Sequence, residues 1–494
     1  MDKTKAKPST YGQSFGPRRF FYLPLRISER RLLLIGLDLL ALNIGFLISL
    51  ALRPEYPLAL RLIVQHSLWF ILLSIIWFPI AFAFDVYDLK ISGRLSTNAR
   101  ALFKASVVTI GLYLIIPYVT PALPGSRFTL FSFFIFTLGF LLAGRILYLL
   151  ALAQPFFNHR ALIIGTGPTA STIAQAILQH TNGIYNIVGF VQDVATEKSP
   201  TLLINNPNFQ RSNDLTLQIL GNYRTLSNII NEHQINTLIL ATDQNIDGEL
   251  LQILTDCLEV GVEIAPMPVL YEQLTGRVPI EHIGENWYVA MPINHPLSRP
   301  LNRFIKRLSD IILASLGCLW LAPFFPFIAL AIYLESPGPI FYTQERVGKG
   351  GRIFWAYKFR SMVPDAEKGE AVWAKKNDER VTRVGRLLRK THVDEFPQFL
   401  NILKGEMSAV GPRPERPEFV EELAREIPFY RLRHAVKPGM AGWGLVKQGY
   451  GASKEDALIK LQYDLYYIKH QSLWFDLVIL LKTIIDTLTF RGRA

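Results

Sequence analysis

A chain of 494 residues, half of them hydrophobic and only 19% charged, is too long for one ordinary core and too apolar for a disordered protein. That balance points to two or three domains with membrane-inserted parts. The formal charge of +12 asks for anionic partners, such as a membrane surface, phosphates or nucleic acid, and no recognised nucleic-acid motif supports the last. Cys257 and Cys318 lie far apart without CxxC or His neighbours, which argues against a disulfide framework and a zinc site.

Residues 1–29 read as a cytoplasmic tail. "MDKTKAKPSTYGQSFGPRRF" has no apolar core with a cleavage site, so it is not a signal peptide. Residues 30–155 hold four apolar stretches, Leu32–Leu52, Leu62–Phe84, Ala105–Val119 and Phe128–Leu152, the third short and interrupted by Pro117. Spans of about 20 residues cross a bilayer, and these lack the polar stripes of a soluble bundle. The flanking cations alternate: a basic run ending in Arg30 and Arg31, then Arg53 and Arg61, then Lys90, Arg94, Arg100 and Lys104, then Arg127. The excess places both ends of this four-helix transmembrane bundle in the cytoplasm.

Residues 158–280 change texture. "ALIIGTGPTASTIAQAILQH" reads strand, Gly-rich turn, helix; "IYNIVGFVQD" is a second strand ending at Asp193; "NIINEHQINTLILAT" and "VGVEIAPMP" supply a helix and two more strands. Strands alternating with helices predict a parallel, Rossmann-like α/β sheet. Gly165-Thr166-Gly167-Pro168-Thr169-Ala170 fits GxGxxA. It reads either as a nucleotide-phosphate cradle, with Asp193 as the acidic partner, or as a tight turn without ligand.

A linker (281–300) leads to a basic, mixed α+β region, 301–494. Ile311–Leu334 carries no charge and would extend about 36 Å as a straight helix. Pro323 and Pro326 predict a break in it. Arg303, Lys306 and Arg307 before it and Arg346, Lys349 and Arg352 after it put the inside signal on both flanks, so the segment 308–335 is expected to enter the membrane and return. "PIFYTQERVGKGGRIFWAYKFRSM" predicts a hairpin closed at Gly348–Gly351. The last apolar helix, around Asp476, Lys482 and Asp486, suits either the membrane interface or the domain core.

Asp394 and Glu395 stand adjacent in "RKTHVDEFPQFLNILKGEMSAVGPRPE". One reading is a capping box: Thr391 caps a helix running to Gly405, Asp394 completes the box, and Glu395 favours the helix dipole. The other follows from the cations: Lys358 and Arg360, then Arg380, Arg383, Arg386, Arg389 and Lys390, then Arg413. Arg forks suit phosphate, and carboxylates beside them suit Mg²⁺. Neighbouring residues diverge by about 100° on a helix, so one carboxylate can attack phosphorus while the other holds metal or manages a proton.

Residues from about 300 onward resemble the bacterial sugar transferases, the monotopic polyprenol-phosphate phosphoglycosyl transferases. "KRLSDIILASLGCLWLAP", "SPGPIFYTQERVGKGG", "YKFRSM", "THVDEFPQFLNILKGEMSAVGPRPERPEFVEEL", "YRLRHAVKPGMAGWGLV" and "YDLYYIKHQSLWFDLVILLKT" occur in the family's order. The preceding spans and α/β domain resemble the family's large form. One departure is Ala322-Pro323, where the family commonly has Ser-Pro. The resemblance implies an α plus α/β membrane protein with a C-terminal α+β catalytic domain. In it Asp394 is the nucleophile, Glu395 is the Mg²⁺-associated partner, and Lys358, Arg360, Arg380, Arg389, Arg413 and Asp464 bind substrate. Pro323 is the helix break. The implied partners are a UDP-sugar, polyprenyl phosphate and the bilayer at the bacterial inner membrane, with a homo-oligomer left open. The alternatives are a nucleotide-dependent membrane oxidoreductase or epimerase, and a non-catalytic polysaccharide scaffold.

Overall fold

The computed structural model describes residues 24–53, 56, 60–88, 90, 95–121, 126–151, 154–192, 218–242, 248–282, 299–364, 378–449 and 453–489. They form two compact units, one from residues 1–38, 88–95 and 142–275, the other from 39–87, 96–141 and 276–494. The apolar stretches become α1 (Ile27–Ala51), α2 (Leu60–Gln65), α3 (Ser67–Ala83), α4 (Leu95–Ile115) and α5 (Arg127–Ala151). α1, α4 and α5 are long and apolar enough to cross a membrane; α3 is shorter, at 17 residues. The second expected span is thus divided at His66. The third begins ten residues early, carrying Arg100 and Lys104 inside the helix, and stops at Ile115 ahead of Pro117.

The first unit holds a five-stranded parallel sheet: β1 (His159–Ile164), β2 (Tyr185–Gln192), β3 (Ile219–Asn222), β4 (Thr237–Leu240) and β5 (Glu263–Pro266), ordered β3-β2-β1-β4-β5. β1 and β4 are nearly unbroken apolar runs because helices cover both faces. Those helices are α6 (Pro168–His180), α7 (Leu226–Glu232), α8 (Gly248–Glu259) and α9 (Met267–Thr275). Side chains of α7 and α8 pack with Leu162, Ile164, Val191 and Leu238 in one core. Ala161, Ile163, Phe190 and Ile239, which alternate with these, are buried on the other face. β3 escapes the sequence because "ILGN" is four half-buried residues containing a glycine. At the sheet's N-terminal edge the buried ring of His159 bonds Thr237 Oγ1 (2.8 Å) and the Leu25 carbonyl (3.2 Å), and burial pushes its pKa down to about 4. Buried Arg30 donates to Phe157 O and Asn158 Oδ1 (2.6 and 3.1 Å), fixing the start of α1 there. Further along, Arg145 of α5 meets Asp38 of α1 at 2.7 Å, both buried.

In the second unit Phe46 of α1 packs on Phe70, Tyr113 and Phe133, from α3, α4 and α5, with ring centroids 5.1–5.5 Å apart. A Cβ on Gly45 would come within 2.7 Å of the Thr137 backbone, so these helices approach as membrane helices do, through a small residue. α10 (Pro300–Leu321) and α11 (Phe325–Glu335) meet at a 63° bend across Pro323, while Pro326 falls harmlessly in the first turn of α11. β6 (Phe341–Val347) and β7 (Ile353–Phe359) form the expected hairpin. Then follow α12 (Arg383–Thr391), α13 (Gln398–Lys404), β8 (Ser408–Val410), α14 (Pro417–Glu426), β9 (Gly439–Ala441), α15 (Trp443–Gln448), α16 (Lys454–His470) and α17 (Leu473–Leu488). α17 turns its charges inward. Asp476 pairs with Lys306 (2.8 Å), and Lys482 donates to Ala83 O and Asp85 Oδ2 (2.9 and 2.6 Å) beyond the end of α3.

Candidate active site

The acid pair lies where the chain changes direction. Thr391 closes α12, its hydroxyl donating back to the Leu387 and Leu388 carbonyls. His392 then adopts a left-handed φ of +59°, and a single 3₁₀ turn, Val393–Glu395, precedes α13. Gly405 does end α13, at φ +88°. The capping box is therefore not formed. Thr391 belongs to the preceding helix, and no side chain caps the 3₁₀ turn or α13. Both carboxylates are buried, 8% and 7% exposed, without serving helix N–H groups.

Two segments bring cations onto Glu395. The hairpin presents Lys358, whose Nζ donates to Glu395 Oε1 at 2.8 Å. After β8, Gly411 and Gly439 touch backbone to backbone, locked by Gly411 N to Ala441 O and Gly439 N to Pro412 O. A side chain on either would force them apart. This loop delivers the Arg413 fork onto Glu395, 2.6 Å to Oε1 and 3.1 Å to Oε2. Burial pushes Glu395 upward, but Arg413 and Lys358 together hold it well below the usual carboxylate range. Asp394 goes the other way. Burial and the neighbouring Glu395 raise its pKa against the pull of Lys358, Arg389 and Arg413. Among the described residues nothing hydrogen-bonds its carboxylate. One acid is thus clamped and held toward its ionised form, and the other is unbonded and more basic.

The other expected site residues divide. Arg389 acts on Asp394 through its field while its Nε donates to Ser361 Oγ (2.9 Å). Arg360 instead reaches the Ser336 carbonyl and fills the space beside Gly338. Arg380 pairs with Asp378 at 2.5 Å. Asp464 is buried behind the site. Its Oδ2 takes Arg433 (2.9 Å), which also donates to Arg413 O (3.0 Å) and Tyr430 Oη (2.7 Å). Burial raises Asp464 to about 6 even so. Two further residues were not among the expected site residues. Arg346 is bonded to Pro414 O (3.0 Å) and sits in the field of Glu395 and Arg413. It shares a hairpin face with Lys358, which period-two alternation could have revealed. Arg433 lies in an irregular 3₁₀ stretch and carries no such signal.

In the first unit Gly165 has φ +119°, and a Cβ there would overlap the Ala241 carbonyl. Close packing against the chain leaving β4 accounts for it. Gly167 is the N-cap of α6, with no side-chain bond. Asp193 lies outside the described residues.

No group of three or more His, Cys, Asp or Glu side chains suited to a metal occurs among the described residues. Glu395 Oε1 already takes Lys358 and Arg413, and Oε2 takes the second Arg413 nitrogen, leaving the Asp394 carboxylate as the protein oxygens without a bonded cation. That set fits Mg²⁺ only as an ion completing its shell with substrate phosphates and water.

A family model described as bacterial sugar transferase matches residues 301–490, and one described as CoA-binding domain matches 82–268. A UDP-N-acetylgalactosamine-undecaprenyl-phosphate N-acetylgalactosaminephosphotransferase of Aeromonas hydrophila is 45% identical over 51% of this chain and 58% of its own. A UDP-glucose:undecaprenyl-phosphate glucose-1-phosphate transferase of Escherichia coli is 43% identical over 38% and 41%. The chain thus spans about half the length of these two. An enzyme of the same name from Caulobacter vibrioides is 40% identical over 39% of this chain and 73% of its own. With the acid pair, its cations and the bent apolar helices in one unit, and that much of a relative aligned, the chain belongs to the bacterial sugar transferase family.

Proposed function

We propose that this chain transfers a hexose 1-phosphate from a UDP-sugar to polyprenyl phosphate, with Asp394 as the nucleophile. The observation that carries this is the contrast within the pair: an unbonded, more basic Asp394 beside a Glu395 fixed by Lys358 and Arg413. An Asp394 oxygen attacks the phosphorus bearing the sugar. The bond from that phosphorus to the bridging oxygen of the diphosphate breaks, and UMP leaves with the electron pair. A phosphate oxygen of polyprenyl phosphate then attacks the aspartyl-phosphosugar, giving polyprenyl diphosphosugar and freeing the carboxylate. Two displacements replace one difficult transfer. Lys358, Arg413 and Arg346 surround the transferring phosphoryl group with positive charge. Asp394 and Glu395 are the residues that would hold Mg²⁺ beside the diphosphate, where it would supply further charge neutralisation.

α1, α3, α4 and α5 cross the bacterial inner membrane, and α10–α11 enter and return at the 63° bend, keeping the acid pair on the cytoplasmic side. Single cysteines at Lys306 and Lys349, probed with an impermeant thiol reagent in intact cells, should both stay unlabelled; labelling at Lys349 alone would mean a crossing helix.

The chemistry is tested with purified protein and UDP-sugars, including UDP-N-acetylgalactosamine and UDP-glucose. Expected are UMP release and, without acceptor, a protein mass increased by one phosphosugar at the peptide containing Asp394. Absence of UMP with every sugar would leave a scaffold or a nucleotide-dependent oxidoreductase.

A further inference from the structure

The outer face of the β6–β7 hairpin is unusually apolar for a surface hairpin. Pairing puts Phe341, Thr343 and Glu345 opposite Phe359, Tyr357 and Trp355, with Ile353 next along. Trp355 and Ile353 are each more than half exposed, and Phe341 is 40% exposed. Lys358 and Arg346 point to the opposite face, so none of this surface serves the acid pair. Beside it runs α13, and Phe341, Thr343, Tyr357, Leu400, Leu403 and Lys404 line an open groove of about 590 Å³ between them.

α13 also fixes how this surface stands relative to α10. Phe396 meets Trp320, Phe399 stands on Gly317, and Arg307 caps the Ile402 and Leu403 carbonyls, so α13 runs antiparallel to α10. Asn401 then binds the free edge of β7, accepting from Tyr357 N (3.0 Å) and donating to Trp355 O (2.7 Å). Trp355 and Tyr357 are thereby held alongside the stretch of α10 between Arg307 and Gly317, where its charged end gives way to the uncharged one. Phe341 stacks on Phe325 of α11, so apolar surface continues from the bent helices onto the hairpin. At the rim Lys404 Nζ bonds Tyr357 Oη (2.6 Å) and lies over its ring. Aromatic side chains with a lysine reaching past them are the chemistry of a headgroup boundary.

We infer that this hairpin face and the adjoining side of α13 form a second membrane-contact surface, seated in bilayer lipid at the boundary of headgroups and acyl chains. The inference rests on the re-entrant placement of α10–α11. It adds a flank that holds the catalytic unit against the membrane independently of the spans.

The test uses the full chain in nanodiscs of phosphatidylethanolamine and phosphatidylglycerol, with Cys257 and Cys318 replaced by Ala. Spin labels are placed singly at Ile353, Leu400, Leu316 and Glu421, the last on the exposed side of α14 as an aqueous control. Collisions with oxygen and with a water-soluble nickel chelate are compared. Labels at Ile353 and Leu400 should show a several-fold higher oxygen-to-nickel ratio than Glu421. A ratio equal to that of Glu421 overturns the inference. Shielding from both reagents with spin–spin broadening overturns it in favour of a second copy of the chain. A change seen only on adding polyprenyl phosphate overturns it in favour of a substrate groove. Leu316, on the exposed side of α10, separates the two readings: a water-like Leu316 removes the re-entrant placement itself, whereas a lipid-like Leu316 with a water-like Ile353 removes only the hairpin surface.

Discussion

The Gly-rich turn after β1 and the acid pair before α13 are both compact motifs at the start of a helix, but they carry opposite kinds of information. At the turn, the demanding residue is explained by the fold. Gly165 is there because the chain leaving β4 passes where a Cβ would be. At the acid pair, folding explains nothing. Two buried carboxylates sit side by side, one with no hydrogen bond among the described residues, and cations from the hairpin and the loop after β8 converge on the other. Burying charge costs stability unless each group is paired. Tight glycines report geometry, whereas charge buried against the interest of the fold reports chemistry.

The largest effect that would break this contrast is at Asp394. Asp394→Asn should lower transfer by on the order of 10⁴-fold or more, as loss of a nucleophile does, yet leave the melting temperature unchanged or higher. Labelled-sugar transfer beside a thermal melt checks both; near-normal turnover removes the nucleophile assignment. Glu395→Gln should cut transfer by about 10²–10³-fold and, unlike the first variant, lower the melting temperature, because Lys358 and Arg413 lose their charged partner. Equal melting of the two variants would mean the clamp is not part of the fold. Arg413→Lys should cost about 10–10²-fold, since an ammonium cannot reproduce the fork held by the Gly411–Gly439 contact; wild-type kinetics would make the fork incidental.

The pH profile sharpens the comparison within the pair. Asp394 is raised by burial and by Glu395, so the ionised form that the proposed nucleophile needs is lost on acidification sooner than for an ordinary carboxylate. The acid limb of kcat/KM should therefore lie above the normal Asp range of about 4. The stability sign is reversed: a raised carboxyl contributes stability that is present at low pH and lost as pH rises through its folded value. Asp394→Asn should abolish that loss, and a melting curve with the wild-type pH dependence would refute it. The smallest effect on turnover is expected at Gly165→Ala. Strain of about 1–3 kcal/mol should speed hydrogen exchange in β1 and β4 while transfer persists. Lost transfer with unchanged exchange would give the turn a catalytic part.

Much of this was legible in the sequence because it was periodic or adjacent. Alternation gave the hairpin, apolar runs the core strands, the prolines the break at Pro323, and adjacency the pair itself. What was not legible depends on long-range geometry. Nothing local tells Lys358, which reaches Glu395, from Arg360 two residues on, which turns to the Ser336 carbonyl. Alternation would put both on one face; the strand ends between them. Asp464 is separated from Arg433 by 31 residues and from the pair by two intervening side chains. The capping box failed because His392 takes a left-handed turn that ends α12 one residue later than the motif requires.

The contact of Lys482 with Asp85 and Ala83 joins positions 397 residues apart. A ribosome adds roughly 5–20 residues per second, so the end of α3 emerges on the order of 20–80 s before the lysine that completes it. Through that interval the Ala83 carbonyl and the Asp85 carboxylate lack the ammonium that binds them in the folded unit. Synthesis of α3 is therefore separated in time from completion of the unit it joins. The ammonium that arrives late, buried against an acid made long before it, ties the last helix of the chain to one of its first.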